Sequence, residues 1–206
     1  MGDFLKKLSD AQIDALKELG NIGAGNAATA LSEILNTKID MTVPSVKIIP
    51  IEKVPDAAGG METIVGGVYM RMSGDAPSNL LFVVPVEGAL SLMERVLGYR
   101  PSDYTNLKEI EISALVEIGN IMCGSYINTL VKFTHLNMRP NVPYGTIDMT
   151  GALLSEIIAR LGEVADYALL IETIMSVADE SSISAYFFLL PDPEALRVIL
   201  ESLGMM

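Results

Sequence analysis

Cys123 is the only cysteine in the 206-residue chain, so no internal disulfide can form. Histidine is equally scarce: His135 stands alone, with no paired His or Cys spacing to build a metal site and no basis for a Ser–His–Asp arrangement. Lys and Arg number 14 against 26 Asp and Glu, a formal net charge of −12. A chain this acidic repels nucleic acid and anionic lipid, since both require clustered basic residues, and neither is expected as a partner. No apolar run approaches the roughly 20 residues that span a bilayer. The opening MGDFLKKLSDAQ lacks the apolar stretch and small-residue cleavage site of a secretory signal. With a single cysteine, these absences point to the cytoplasm.

Apolar residues, by contrast, make up 50% of the chain, the composition of a folded protein with a substantial core. The length suits one large domain or two small fused halves. An internal repeat decides between them. IDALKELGNIGAG (13–25) matches ISALVEIGNIMCG (112–124) at an offset of 99, and Leu31, Val43 and Pro44 recur in register as Leu130, Val142 and Pro143. VVPVEGALSLMERVLG (83–98) resembles LLPDPEALRVILESLG (189–204) at an offset of 106. The extra residues of the second half fall near GALLSEIIARLGEVAD (151–166), which reads as an amphipathic helix without a counterpart in the first half.

Each half has the same expected order. A long helix (about 10–35 and 109–135) leads into an extended segment with Val-Pro near its middle (38–51 and 138–149). Two β-rich stretches follow, 63–72 and 79–85, then 167–177 and 183–191, joined by SGDAPS and ADESS turns. A final helix closes each half, with Asp192 as expected N-cap, Pro193 in the first turn of the second copy and Gly204 as its terminator. The expectation is an α/β protein: pseudo-twofold duplicated helix–three-strand–helix halves, about 10–100 and 109–204, forming a single domain over 1–206. Short connections favour mainly antiparallel strands packed with the long helices.

Residues three and four apart share one face of a helix. Asp14, Glu18, Asn21 and Gly25 therefore form one stripe, and Ser113, Glu117, Asn120 and Gly124 form its copy. Glycine inside a helix costs about 1 kcal/mol relative to alanine, tolerable where another backbone comes close. Packing of the two long helices against each other would account for Gly20 and Gly119. Other positions differ between the copies: Lys17 stands opposite Val116, and Asn26 opposite Ser125. The Glu and Asn persist. Caps or buried hydrogen-bond partners would use such side chains, although Asn is a poor former of helix interiors. An amide beside a carboxylate is also suited to positioning: the amide can orient a water, and the carboxylate can dock on a partner's cation.

At these residues the chain resembles the CheC/CheX/FliY phosphatases of chemotaxis. Their signature, [DS]-x3-E-x2-N-x3-G, is met by Asp14–Glu18–Asn21–Gly25 and again by Ser113–Glu117–Asn120–Gly124. The resemblance implies hydrolysis of the aspartyl phosphate of the response regulator CheY. It implies that Asn21 and Asn120 orient the attacking water and that Glu18 and Glu117 pair with a lysine of the regulator. It further implies no cofactor of the chain's own, the Mg²⁺ being the regulator's. Asp14, Gly25, Ser113 and Gly124 complete the motif without an assigned catalytic role. The family's common partner CheD implies a contact region near the extra segment, at Asp148.

Three other readings compete. Gly23-x-Gly25-x-x-Ala28 fits a dinucleotide fingerprint, but it lies inside a helix rather than after a strand, and Met122 replaces the first glycine in the copy. A flagellar-switch scaffold would be expected to carry a further C-terminal domain, and the chain ends two residues beyond its last expected helix. A non-catalytic binder of phosphorylated CheY would share every feature except turnover. Cys123 and the twelve methionines read as core filler.

Overall fold

The structure, a computed structural model, describes residues 8–161, 167–177, 182–192 and 194–204. In chain order the elements are α1 (Asp10–Leu35), β1 (Ile39–Pro50), α2 (Val54–Ala57), β2 (Ile64–Gly74), β3 (Ser78–Pro85) and α3 (Val86–Leu97). The second half supplies α4 (Glu109–Thr134), β4 (Met138–Pro140), β5 (Tyr144–Met149), α5 (Thr150–Leu161), β6 (Tyr167–Val177), β7 (Ile183–Pro191) and α6 (Ala195–Ser202).

Local chemistry sets the ends of the long helices. Ser9 Oγ accepts the Gln12 backbone N–H at 3.3 Å while the Gln12 side chain accepts the Ser9 N–H at 2.7 Å, a capping box. In the second copy the Glu111 carboxylate accepts the Lys108 N–H at 2.7 Å. The two helices end alike, in a left-handed residue: Asn36 at φ 48° and His135 at φ 58°. The repeat thus extends to the backbone conformation of the cap.

The strands form one seven-stranded sheet in the order β1-β6-β7-β3-β2-β4, with β5 also on β2, and every pairing is antiparallel. The halves exchange strands. β1 of the first half pairs with β6 of the second, and β4 and β5 of the second pair with β2 of the first. The pseudo-twofold axis passes between β3 and β7, where Phe82 lies opposite Phe187.

Helices cover both faces, which is why β3 and β7 read as nearly continuous apolar runs. On one face Leu80, Phe82, Val84, Phe187 and Leu189 pack against α1, α3, α4 and α6. On the other, Leu81, Val83, Phe188 and Leu190 meet α5 and the region of α2. Phe187 sits between Phe82 and Tyr126, ring centroids 5.0 and 4.3 Å away, contacts that add about 0.5–1.5 kcal/mol each beyond burial. An 18-residue window of α4 is apolar enough to cross a membrane by composition, but half of it is buried inside the protein.

The helix expected after residue 150 is α5, residues 162–166 lying outside those described. It does have a counterpart: the single turn α2 occupies the corresponding place in the first half and packs against α5. Asp192 is not an N-cap. Its carboxylate is held by both terminal nitrogens of Arg71 on β2, and Glu194 precedes α6 instead. Pro193 and residues 178–181 of the expected turn also lie outside the described residues. Gly204 takes a positive φ of 69° just past α6, as a terminator should.

Candidate active site

Both motif stripes lie on the solvent side of the long helices. Asp14, Glu18 and Gly25 on α1 and Ser113, Glu117 and Asn120 on α4 are exposed, whereas Asn21 and Gly124 are half-buried. Opposite faces of the same helices carry Leu16, Ala24, Ala27 and Leu31, or Leu115, Ile118 and Met122, into the core. Burial of these residues fixes the rotation of each helix, which holds Glu18, Glu117 and Asn120 outward and leaves Asn21 at the edge of the buried face. The helices touch where Gly23 admits Tyr126, and the Asn26 amide donates to Thr129 Oγ1 at 3.3 Å.

The two amides differ in their surroundings. β1 pairs with β6 through Thr42 and again from Ser45, the register slipping between them. Pro44 has no N–H to give the ladder, and the Val43 N–H turns to Asn21, whose Oδ1 accepts it at 2.9 Å. In the second half the same Val-Pro pair lies in the gap that separates β4 from β5. There Val142 is 92% exposed, against 2% for Val43. Among the described residues Asn120, Glu18 and Glu117 make no side-chain hydrogen bond or ion pair. A role as hydrogen-bond partner within the fold therefore holds for Asn21 alone, and through its oxygen.

Gly20 and Gly119 do not serve helix–helix packing. A Cβ at Gly119 would lie 2.5 Å from Val68 of β2, and one at Gly20 would meet Val43 at 3.4 Å and Ile171 at 3.6 Å. Both face the sheet. Val116, one turn before Asn120, packs on Gly145 of β5, where a Cβ would fall 2.7 Å from it. Cys123, beside Gly124, is fully buried, and burial pushes its thiol up to about 12, which leaves it protonated and unreactive at neutral pH. Among the described residues no three His, Cys, Asp or Glu cluster as a metal site would require. Asp148 is exposed on β5, two residues before α5 begins.

Sequence reasoning missed the Asn21–Val43 bond and the Glu172 cluster beside it. Glu172 on β6 accepts from Ser45 Oγ and lies 3.2 Å from Lys47 Nζ, both on β1. The Ser45 hydrogen bond first, and then the lysine, hold its carboxyl below the usual range. The recurrence of Val-Pro was the only signal for the slip in register, and nothing in the sequence tied it to Asn21.

An antiparallel sheet with strands exchanged between halves, and a Glu–Asn stripe repeated on each long helix, define a duplicated fold. Residues 12–48 and 110–144, which contain both stripes, match the CheC-like family. The chain is 35% identical over 200 residues to the CheY-P phosphatase CheC of Bacillus subtilis, 96% of each chain being covered. Thermotoga maritima FliY superposes with a TM-score of 0.76 at 21% identity, covering 96% of this chain and 98% of that one. A CheX–CheY–BeF3–Mg²⁺ complex from Borrelia burgdorferi matches at a TM-score of 0.51 and 16% identity, covering 81% and 95%. The chain belongs to the CheC/CheX/FliY family of chemotaxis phosphatases.

Proposed function

We propose that the chain hydrolyses the aspartyl phosphate of the response regulator CheY, with one site on α1 and one on α4. Glu18 and Glu117 dock on a lysine of the regulator, and Asn21 and Asn120 each orient a water for in-line attack. The water oxygen bonds to phosphorus as the P–O bond to the regulator's carboxylate breaks, releasing inorganic phosphate and the free carboxylate. Such a reaction needs mainly positioning and charge neutralisation. The chain supplies the first, and the Mg²⁺ belongs to the regulator. One observation supports the reading: a carboxylate and an amide stand one turn apart on a helix face twice over, and three of those four side chains, all but Asn21, are exposed and make no hydrogen bond or ion pair among the described residues.

The two repeats, about 10–100 and 109–204, work as one unit in the cytoplasm. Asp148, exposed on the last strand before α5, is the proposed contact for CheD. Two measurements test these points. Substoichiometric protein should raise the first-order decay of phosphorylated CheY in Mg²⁺; a chain that only sequesters the regulator would bind it and leave the decay constant unchanged. Asp148→Lys should abolish co-elution with CheD without altering that decay, and retained co-elution would remove Asp148 from the interface.

A further inference from the structure

Three of the five glycines in the central turns of α1 and α4 have a steric reason to be there or a close neighbour. A Cβ at Gly119 would press on Val68, one at Gly23 would fall 3.0 Å from the Tyr126 ring, and one at Gly20 would touch Val43. Gly25 and Gly124 have neither. No atom of the described residues outside their own stretch of helix lies within 4 Å of where a Cβ would stand. Nor does the backbone require glycine, because neither residue has a positive φ. Both are retained although glycine is the poorest helix former after proline. Meanwhile Gly23, two residues earlier, is replaced in the second copy by the buried Met122.

The fold therefore gains nothing from a missing side chain at these two points. Each lies one turn beyond the amide on the same face, just as the carboxylate lies about one turn before it. We propose that Gly25 and Gly124 are clearances for the regulator: bare backbone there lets the bound partner settle close enough for Asn21 or Asn120 to reach its phosphoryl group. This inference rests on the phosphatase reading of the two stripes. Glu sets where the partner docks, and glycine sets how deep. A methyl placed between two packed surfaces holds them apart by on the order of 1 Å, and a misplacement of that size costs about 10²-fold in rate.

The test is the Gly25→Ala/Gly124→Ala double variant, with denaturation midpoint, kcat and KM for phosphorylated CheY, and affinity for beryllofluoride-activated CheY measured beside wild type. The expected result is a midpoint equal to or above wild type, kcat/KM lower by about 100-fold and weaker binding of the activated regulator. Gly25→Ser/Gly124→Ser should behave alike. An active wild type with a fully active, well-folded Ala variant would overturn the clearance role alone. A lowered midpoint would also overturn it, by showing that the fold itself needs the glycines. A wild type that leaves the decay of phosphorylated CheY unchanged would overturn the phosphatase reading and this inference together.

Discussion

The side-chain oxygen of Asn21 accepts the backbone N–H of Val43 at 2.9 Å, so one proposed catalytic amide also closes a gap in the sheet. Its copy, Asn120, is exposed and has no such tie among the described residues. The same residue type at the same repeat position thus has two different structural obligations. Removing Asn21 orphans a half-buried N–H, which costs about 1–3 kcal/mol. Asn21→Ala should therefore lower stability by about 1 kcal/mol, the low end of that range, because alanine is the better helix former. Asn120→Ala should leave stability unchanged or slightly raised. Urea denaturation of the two variants distinguishes them, and equal midpoints would contradict the asymmetry.

Activity should divide unequally as well. With its oxygen engaged by Val43, Asn21 has less freedom to adjust to a water than Asn120 does. Asn120→Ala is expected to remove more than half of the acceleration of CheY dephosphorylation, and Asn21→Ala less than half. Initial rates at matched, fully folded protein check this, and equal losses would count against it.

The two glycines that face the sheet, Gly20 and Gly119, make opposite predictions. A methyl at Gly20 meets ordinary contact distances of 3.4–3.6 Å, so Gly20→Ala should stabilise by up to about 1 kcal/mol through helix propensity. At Gly119 the methyl would fall 2.5 Å from Val68. Overpacking of about 1–3 kcal/mol then exceeds the helical gain, and Gly119→Ala should destabilise. Thermal denaturation of the pair reads the sign of each.

Glu172 ties stability to pH. Its folded carboxyl is held below the ordinary value of 4.5, first by Ser45 and then by Lys47. A depressed folded pKa adds stability that is present above the unfolded value and lost as pH falls through the folded one. Wild type should therefore lose stability from about pH 4.5 downward. Glu172→Gln should be less stable than wild type at pH 7 and show a shallower fall in acid. Denaturation midpoints between pH 3 and 7, spanning the usual glutamate range, measure both.

Cys123 reports on opening of the core. It is fully buried, with its thiol pushed up to about 12. Its labelling by an aromatic disulfide reagent should be negligible in the native protein and should follow global unfolding in denaturant. Rapid labelling under native conditions would show that α4 opens locally.

Much of this molecule was legible in one sequence because a duplication wrote it twice. Periodicity and turn residues placed α1, α4 and the strands within a few residues, and each Glu–Asn stripe fell on one face of its helix as helical spacing demanded, exposed except at Asn21 and Gly124. What stayed hidden was long-range. The exchange of β1 with β4 and β5 between halves leaves each strand's own pattern unchanged, so no local signal could carry it. Asp192 carries the chemistry of an N-cap, but Arg71, 121 residues away in sequence, claims its carboxylate. Gly20 and Gly119 occupy one repeat position, and only the sheet beneath them separates a comfortable contact from a prohibitive one. Asn21 and Asn120 differ for the same reason: the Val-Pro pair interrupts β1 as a slip in register and separates β4 from β5 as a gap.

In the proposed reaction Asn21 and Asn120 position the water that attacks the phosphoryl group of CheY. The most direct measurement is the decay of phosphorylated CheY in Mg²⁺ with the Asn21→Ala/Asn120→Ala variant, its fold verified by circular dichroism. Wild type should accelerate the decay, and the double variant should return it to the rate of the regulator alone while still binding the beryllofluoride-activated form. A double variant as active as wild type would contradict this role of the two amides.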